Sequence, residues 1–378
     1  MNVDQALIER VLEMAVAVQQ IPAPTFSETR RAAFVRQAFE AEGLEDVAVD
    51  TAGNVYARLK SEGSQAPLVI SAHLDTVFPA ETDLSIRREE ERICAPGIGD
   101  NSLGVAGLFG LLWAIRQERA NLQRDIWLVA NVGEEGLGDL CGMRAVVDRF
   151  GSQAAAYLIL EGMALGQVYH RGLGVKRYRI GIETQGGHSW VDFGRPSAVH
   201  ELGKLISRLA RIVLPENPRT TLNVGVIGGG TTVNTIAAQA YLELDLRSEV
   251  VGALVELDAQ VQALVKSAER PGVRVVGTVI GERPVGEIAE DHPLVRHAVE
   301  CLEAHGVAAR LSIGSTDANI PLSRGLPAIS IGLTNGGGAH TAAEFIQTQP
   351  LAQGLGQLAE LVKRLCTLSH NLVNGGYI

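Results

Sequence analysis

The sequence predicts an α/β fold in which a mostly parallel-sheet domain covered by helices is interrupted by a smaller ferredoxin-like α+β domain. Three observations carry this expectation. Apolar runs of strand length alternate with helical segments in the first half, the pattern changes to period-two alternation near Gly174, and the first pattern returns from about Pro284. A chain of 378 residues also exceeds one ordinary core, which favours two domains. The expected boundaries are 1–173 with 285–378 for the larger, catalytic domain and 174–284 for the insertion.

The elements follow in order. MNVDQALIERVLEMAVAVQQIP reads as an amphipathic helix, without the basic start and apolar centre of a signal peptide. Residues 28–43 read as a second helix stopped by Gly43. PLVISAH (67–73), DIWLVANV (125–132) and AAYLILE (155–161) are buried-strand runs, and SLGVAGLFGLLWAIRQE (102–118) is a long apolar helix. Strands spaced by helices imply a largely parallel sheet covered on both faces. In the insertion, VKRYRIGIETQ (175–185) is followed by a helix over about 197–212. The strands TLNVGVIGGG and AYLELDLRS, a helix over about 250–268 and the strand VRVVGTVIG complete it. That order, strand–helix–strand–strand–helix–strand, is the ferredoxin-like one. LPAISIG (326–332) then returns as a buried strand.

Composition narrows the function. Hydrophobic residues at 46% and charged residues at 20% suit a soluble globular enzyme. A formal charge of −10, with no Lys/Arg stripe, argues against nucleic acid. No apolar stretch is expected to reach the roughly 18 residues of a membrane span. Four scattered cysteines (Cys94, Cys141, Cys301, Cys366) with no C-x-x-C spacing suit reduced thiols and a cytoplasmic setting.

The chemistry sits where apolar runs end. His73 and Asp75 (SAHLDT), Asp100 (GIGDNS), Glu134 and Glu135 (NVGEEG), Glu161 (LILEG) and His340 (GGGAHTAAEF) each follow a strand or a glycine turn. Each has a plain structural reading too: a surface His-x-Asp, a helix N-cap for Asp100, dipole-favoured acids for Glu134 and Glu135. In open α/β sheets, however, ligands gather outside the carboxyl ends of the strands, so one site can collect the set. His73 and Asp75, two apart in extended chain, point to one side, and a carboxylate there can orient a ligating imidazole. Of Glu134 and Glu135, one would bind metal and the other move protons. Imidazole and carboxylate donors without thiolate suit zinc, cobalt or manganese. With one bridging carboxylate, two ions about 3.5–4 Å apart would polarise a carbonyl and activate a water.

These residues resemble the co-catalytic zinc family of peptidase T, aminoacylase, glutamate carboxypeptidase and succinyl-diaminopimelate desuccinylase, over nearly the whole chain. The resemblance implies that His73, Asp100 and Glu161 hold one divalent ion and that Asp100, Glu135 and His340 hold the other. It makes Glu134 the general base and Asp75 the residue that orients His73. It further implies a homodimer whose inserted lid or dimerisation domain contributes His188 (GGHSW), Asn234 (TTVNTIA) and Arg247 (DLRS) to substrate binding, with His188 crossing to the partner's site. GSTDANIP (314–321) resembles the peptidase T-like branch, and the implied substrate is a di- or tripeptide or an N-acyl amino acid. Two departures stand out. Asn101-Ser102 follows the bridging acid where relatives often carry Lys or a further acid. Glu161 occupies a position where peptidase T uses Asp and the carboxypeptidase and desuccinylase members use Glu, so aminopeptidase, carboxypeptidase and deacylase directions stay open.

Two other classes compete. A non-catalytic metal-binding protein would lack at least one of the five ligands or two outer acids, and all are present. A nucleotide-binding protein is suggested by the glycine runs 228–230 and 336–338, but no G-x-x-x-x-G-K-[ST], G-x-G-x-x-G or G-x-S-x-G occurs.

Overall fold

A computed structural model describes residues 3–120 and 122–367. The chain forms two compact units: the larger runs to Gly172 and resumes at Gly286, and the smaller spans Leu173–Val285.

In the larger unit, four strands lie side by side and parallel: Arg124–Asn131, Gln65–His73, Ala156–Glu161 and Ala328–Gly332. Their sequences are near-continuous apolar runs, as expected for strands buried on both faces. Antiparallel strands extend both sides, Val55–Leu59 and Glu45–Val49 on one and Gln167–Gly172 on the other. After Gln65–His73 the chain adds Arg124–Asn131 on one side and then crosses to place Ala156–Glu161 on the other. That reversal of direction opens a crevice at the strand ends. Register brings the ends level, with His73 opposite Asn131 and Glu161 opposite Gly332.

Helices Gln5–Gln19, Gly104–Gln117 and Leu351–Thr367 bury their apolar faces in one core with these strands. Asp4 caps the first, its carboxylate accepting the Leu7 N–H at 2.8 Å. Taken with the irregular turn before the second, Ile98–Gln117 is long and apolar enough to cross a membrane. The expectation that no stretch reaches that length therefore fails on composition. Its apolar window is 94% buried inside the fold, which makes it a core helix.

The main sheet of the smaller unit is antiparallel, in the order Thr220–Gly229, Gln239–Ser248, Gly174–Thr184, Val273–Arg283, beside a two-stranded ladder of Gly187–His188 with Thr235–Ile236. Helices Ala198–Leu209 and Val251–Ala268 share a second apolar core with it. The connection order and the sheet order together are those of a ferredoxin-like unit.

Candidate metal centre

The four parallel strands deliver their acids and imidazoles to one rim. His73 is the last residue of its strand, Glu161 the last of the next, and Glu134 and Glu135 follow Asn131 closely. His340 comes from the loop after Ala328–Gly332.

Asp100 arrives differently. It sits in the turn before helix Gly104–Gln117, with Asp100 (φ −113°, ψ 90°) and Asn101 (φ −132°, ψ 37°) outside helical geometry. Gly97 turns the chain into this loop at φ 72°, a left-handed conformation that glycine takes without a Cβ penalty. Leu103, not Asp100, occupies the helix N-cap position, so the capping reading of Asp100 does not hold.

The donor atoms converge. His73 Nε2 lies 3.1 Å from Asp100 Oδ1 and 3.9 Å from Glu161 Oε2. His340 Nε2 lies 3.2 Å from both Asp100 Oδ2 and Glu135 Oε1. Three groups therefore have donor atoms within 4.8 Å of one another: His73, Asp100 and Glu161; Asp100, Glu135 and His340; and His73, Glu134 and Glu135. The first two share Asp100 through its separate oxygens.

Asp75 is fully buried, and its carboxylate does more than face the His73 ring. Oδ1 accepts the Glu134 N–H at 3.0 Å, and Oδ2 accepts the Glu135 N–H at 2.9 Å and the Thr25 hydroxyl at 2.9 Å. His73 Nδ1 is hydrogen-bonded to the Asp75 carbonyl oxygen at 3.1 Å, with the carboxylate at 3.5 Å. Asp75 thus orients the imidazole mainly through its backbone and fixes the Glu134–Glu135 peptide through its side chain.

Electrostatics follow from five carboxylates facing two imidazoles. Burial opposes a charge on His73, but Asp100 and Asp75 hold its pKa well above the usual value. Hydrogen bonds to Asp100 and Glu135 raise His340 to about 10. Burial, with the charges of Asp100 and Glu134 nearby, pushes Glu161 well up. The ion-pair partners of Asp100, Glu135 and Glu161 are His73 and His340. Protons on these groups stand where a divalent cation would balance the charge. Hard oxygen donors mixed with imidazole and no thiolate fit zinc, cobalt or manganese.

Two further residues hold the site, and sequence reasoning passed over both. Asn101 donates from Nδ2 to the Leu160 carbonyl and accepts the Gly162 N–H at Oδ1, each at 2.8 Å, which ties the Asp100 turn to both sides of Glu161. In the sequence, its place after Asp100 shows only as a departure from relatives. Glu344 is fully buried and accepts the N–H groups of Gly97, Gly99 and Asp100 at 3.0, 2.7 and 2.8 Å. Burial raises its pKa to about 7 in spite of those bonds. The one signal available was its position four residues after His340 in GGGAHTAAEF.

The three residues expected to bind substrate all lie in the smaller unit. His188 is exposed, in a short ladder that pairs it with Thr235. Its Nδ1 accepts the Trp190 and Val191 N–H groups at 3.2 and 3.4 Å. Asn234 is beside it, its carbonyl accepting the Ser189 N–H at 3.0 Å. Arg247 stands apart. It pairs with Thr221 and Val175 at the far end of strand Gln239–Ser248, and its Nε donates to Asp245 at 2.7 Å. At about 3.4 Å per residue, roughly 27 Å of strand separates Arg247 from Gln239 at the other end. His188 and Asn234 form one patch, and Arg247 is not part of it.

The profile of peptidase family M20/M25/M40 matches residues 69–364. The chain is 23% identical over 342 residues to YqjE of Bacillus subtilis strain 168, covering 85% of this chain and 90% of that protein. It is 25% identical over 365 residues to acetylornithine deacetylase of Myxococcus xanthus, covering 92% of each. A tripeptidase from Staphylococcus aureus subsp. aureus mu50 has the same fold, with a TM-score of 0.80 at 22% identity over 96% of this chain and 99% of that one.

Proposed function

The chain belongs to peptidase family M20/M25/M40, a hydrolytic family, and we propose that it is a two-metal exopeptidase that cleaves di- and tripeptides in an aminopeptidase-like direction. The observation that carries the reading is the pair of donor triads sharing Asp100. His73, Asp100 and Glu161 would hold one divalent ion, and Asp100, Glu135 and His340 the other, most readily zinc, with cobalt or manganese as alternatives. When bound, the ions supply Lewis acidity for the scissile carbonyl and lower the pKa of the attacking water.

The chain supplies the proton traffic. Glu134 accepts a proton from the attacking water and returns it to the leaving amine nitrogen. Asp75 supports this role by gripping the Glu134 and Glu135 N–H groups, which keeps the base and its ligand neighbour in register. Glu134 and Glu135 bring carboxylate oxygens within 4.8 Å of one another and of the His73 ring, so a shuttling base can stand beside a metal ligand.

Trp190 and Phe193, 86% and 89% exposed, follow His188 closely in the chain, and exposed large apolar side chains can mark an interaction surface. We assign it to a homodimer contact through which His188, with Asn234 beside it, reaches the partner's site and donates a hydrogen bond to the developing oxyanion. Arg247 serves separately as the grip on a substrate carboxylate. Four free thiols support a cytoplasmic setting.

A second reading, N-acyl-amino-acid deacylase, is supported by the match to acetylornithine deacetylase along 92% of each chain. Turnover of the zinc- or cobalt-loaded protein on di- and tripeptides, C-terminally blocked peptides and N-acetyl amino acids decides between them. Preference for free-amine di- and tripeptides supports the exopeptidase, and preference for N-acetyl amino acids replaces it with the deacylase.

A further inference from the structure

We propose that Glu344 is a positioning residue that locks the Asp100 turn to the His340 loop, so that the two metal sites bind as one coupled unit. The inference rests on the reading that Asp100 and His340 are metal ligands.

The geometry is that of a clamp. One buried carboxylate takes three of the four N–H donors of residues 97–100: Oε2 the Gly97 N–H, Oε1 the Gly99 and Asp100 N–H groups. The Glu344 carbonyl accepts the Ala95 N–H at 3.0 Å, and the next residues, Phe345–Gln347, pair antiparallel with Arg92–Cys94. Residues 92–100 and 344–347 are therefore joined along their length. With its backbone N–H turned toward Glu344, Asp100 is left to present its carboxylate oxygens to His73 and His340.

His340 needs such an anchor. It is 54% exposed, and its backbone sits at φ 64°, where a residue with a Cβ is uncommon. Its ring contacts are Asp100 and Glu135, themselves candidate ligands. Its loop is closed by pairing of Gly336–Gly337 with Phe345–Ile346, and Glu344, four residues on, ties the end of that loop to the Asp100 turn. An ion held by His73, Asp100 and Glu161 would fix the Asp100 turn, and through Glu344 the loop that offers His340 to the second ion. Glu344 touches neither ion in this scheme, and acts through Asp100 and His340. Charged acceptors hold backbone N–H groups more strongly than neutral ones, and a carboxylate can serve all three donors. A carboxamide offers one acceptor oxygen and turns an NH2 toward the remaining N–H groups.

The test compares metal-free wild type with Glu344→Gln, which keeps the size of the side chain. Zinc is titrated calorimetrically, cobalt(II) visible spectra report the ligand geometry, and thermal unfolding is followed in chelator. Removing a group that orients a ligand typically costs about 10–100-fold in metal affinity. The expected result is a loss of that size for the second ion, separation of two binding steps that overlap in the wild type, an altered cobalt spectrum, and a metal-free unfolding temperature close to wild type. Wild-type affinity and spectrum in Glu344→Gln overturn the proposal. So does a variant whose metal-free form is destabilised while its two binding steps remain overlapped, since Glu344 then serves the fold alone. Glu344→Asp, which keeps the charge but withdraws it from the turn, decides the question in the same way if the glutamine variant does not fold. A wild type that binds no metal overturns the metal-centre reading itself, and that result is visible before any variant is measured.

Discussion

The rim of the larger unit and the His188 patch of the smaller one are built in opposite ways. At the rim, His73, Asp75, Glu134 and Glu135 are buried at or just beyond the ends of adjacent parallel strands, and each is tied to another member of the set. In the patch, exposed His188 sits on a two-residue ladder and exposed Asn234 in the turn before its partner strand, with backbone N–H groups and Thr232 among their neighbours. A fully formed constellation inside one unit states its chemistry through its own contacts. A patch with polar groups and bare aromatics turned to solvent has its purpose in something it has yet to touch. The first should therefore tolerate no loss, and the second should matter only when chains meet.

The sharpest way to separate the regions is to remove one group from each. Glu134→Ala should fold, retain metal and lose about 10²–10⁴-fold in kcat, since a positioned base contributes that much. Near-normal turnover would place the base elsewhere.

His188→Ala should cost less, about 2.7–4 kcal/mol of transition-state stabilisation, as for loss of one oxyanion donor. Its deficit should also be repairable in trans. Mixed dimers of Glu134→Ala and His188→Ala chains, formed under proven subunit exchange, should regain part of the activity. No recovery, or an active monomer, would confine His188 to its own chain.

Arg247→Ala tests whether the separated residue belongs to substrate binding at all. Loss of a charge-assisted grip on a carboxylate should raise KM by roughly 10–100-fold, with a smaller change in kcat. Unchanged Michaelis parameters would leave Arg247 as the partner of Asp245 in the sheet.

The smallest expected effect is a proton count. In the metal-free chain the pKa values of His73 and His340 are raised, His340 to about 10, so near neutrality both imidazoles are charged. Metal binding must remove those protons, so apparent affinity should climb with pH up to about 10. Calorimetry in buffers of different ionisation enthalpy reads the protons released, and a count of zero at neutral pH would contradict the assignment. By the same sign, these two groups stabilise the metal-free fold fully below pH 6.5; the His340 share fades as pH rises through about 10 and the His73 share through its own raised pKa.

The same contrast explains what the sequence could reveal. Strand runs such as PLVISAH and AAYLILE, and the change of period near Gly174, are local patterns, and the sheets they form were legible. So was the gathering of His73, Glu134, Glu135 and Glu161, because the ends of parallel strands must fall on one side, whereas Asp100 reaches them from the turn before helix Gly104–Gln117 and His340 from a later loop. Glu344 was not legible: it acts on residues 244–247 positions away, through a four-stranded ladder of two- and three-residue strands too short to carry a period. Asn101 was visible as an oddity without its purpose, because its partners flank Glu161 on another strand. The separation of Arg247 from His188 and Asn234 depends on strand register, which residue spacing alone does not convey.

The central claim is that Asp100 lies between two cations. Zinc titration of the metal-free wild type alongside Asp100→Asn, read as ions bound per chain by calorimetry and elemental analysis, addresses it directly. The account predicts two ions in the wild type and weakening of both in the variant, because each triad loses its shared charge. One ion or none in the wild type, or an Asp100→Asn chain that still binds two ions with undiminished affinity, would contradict it.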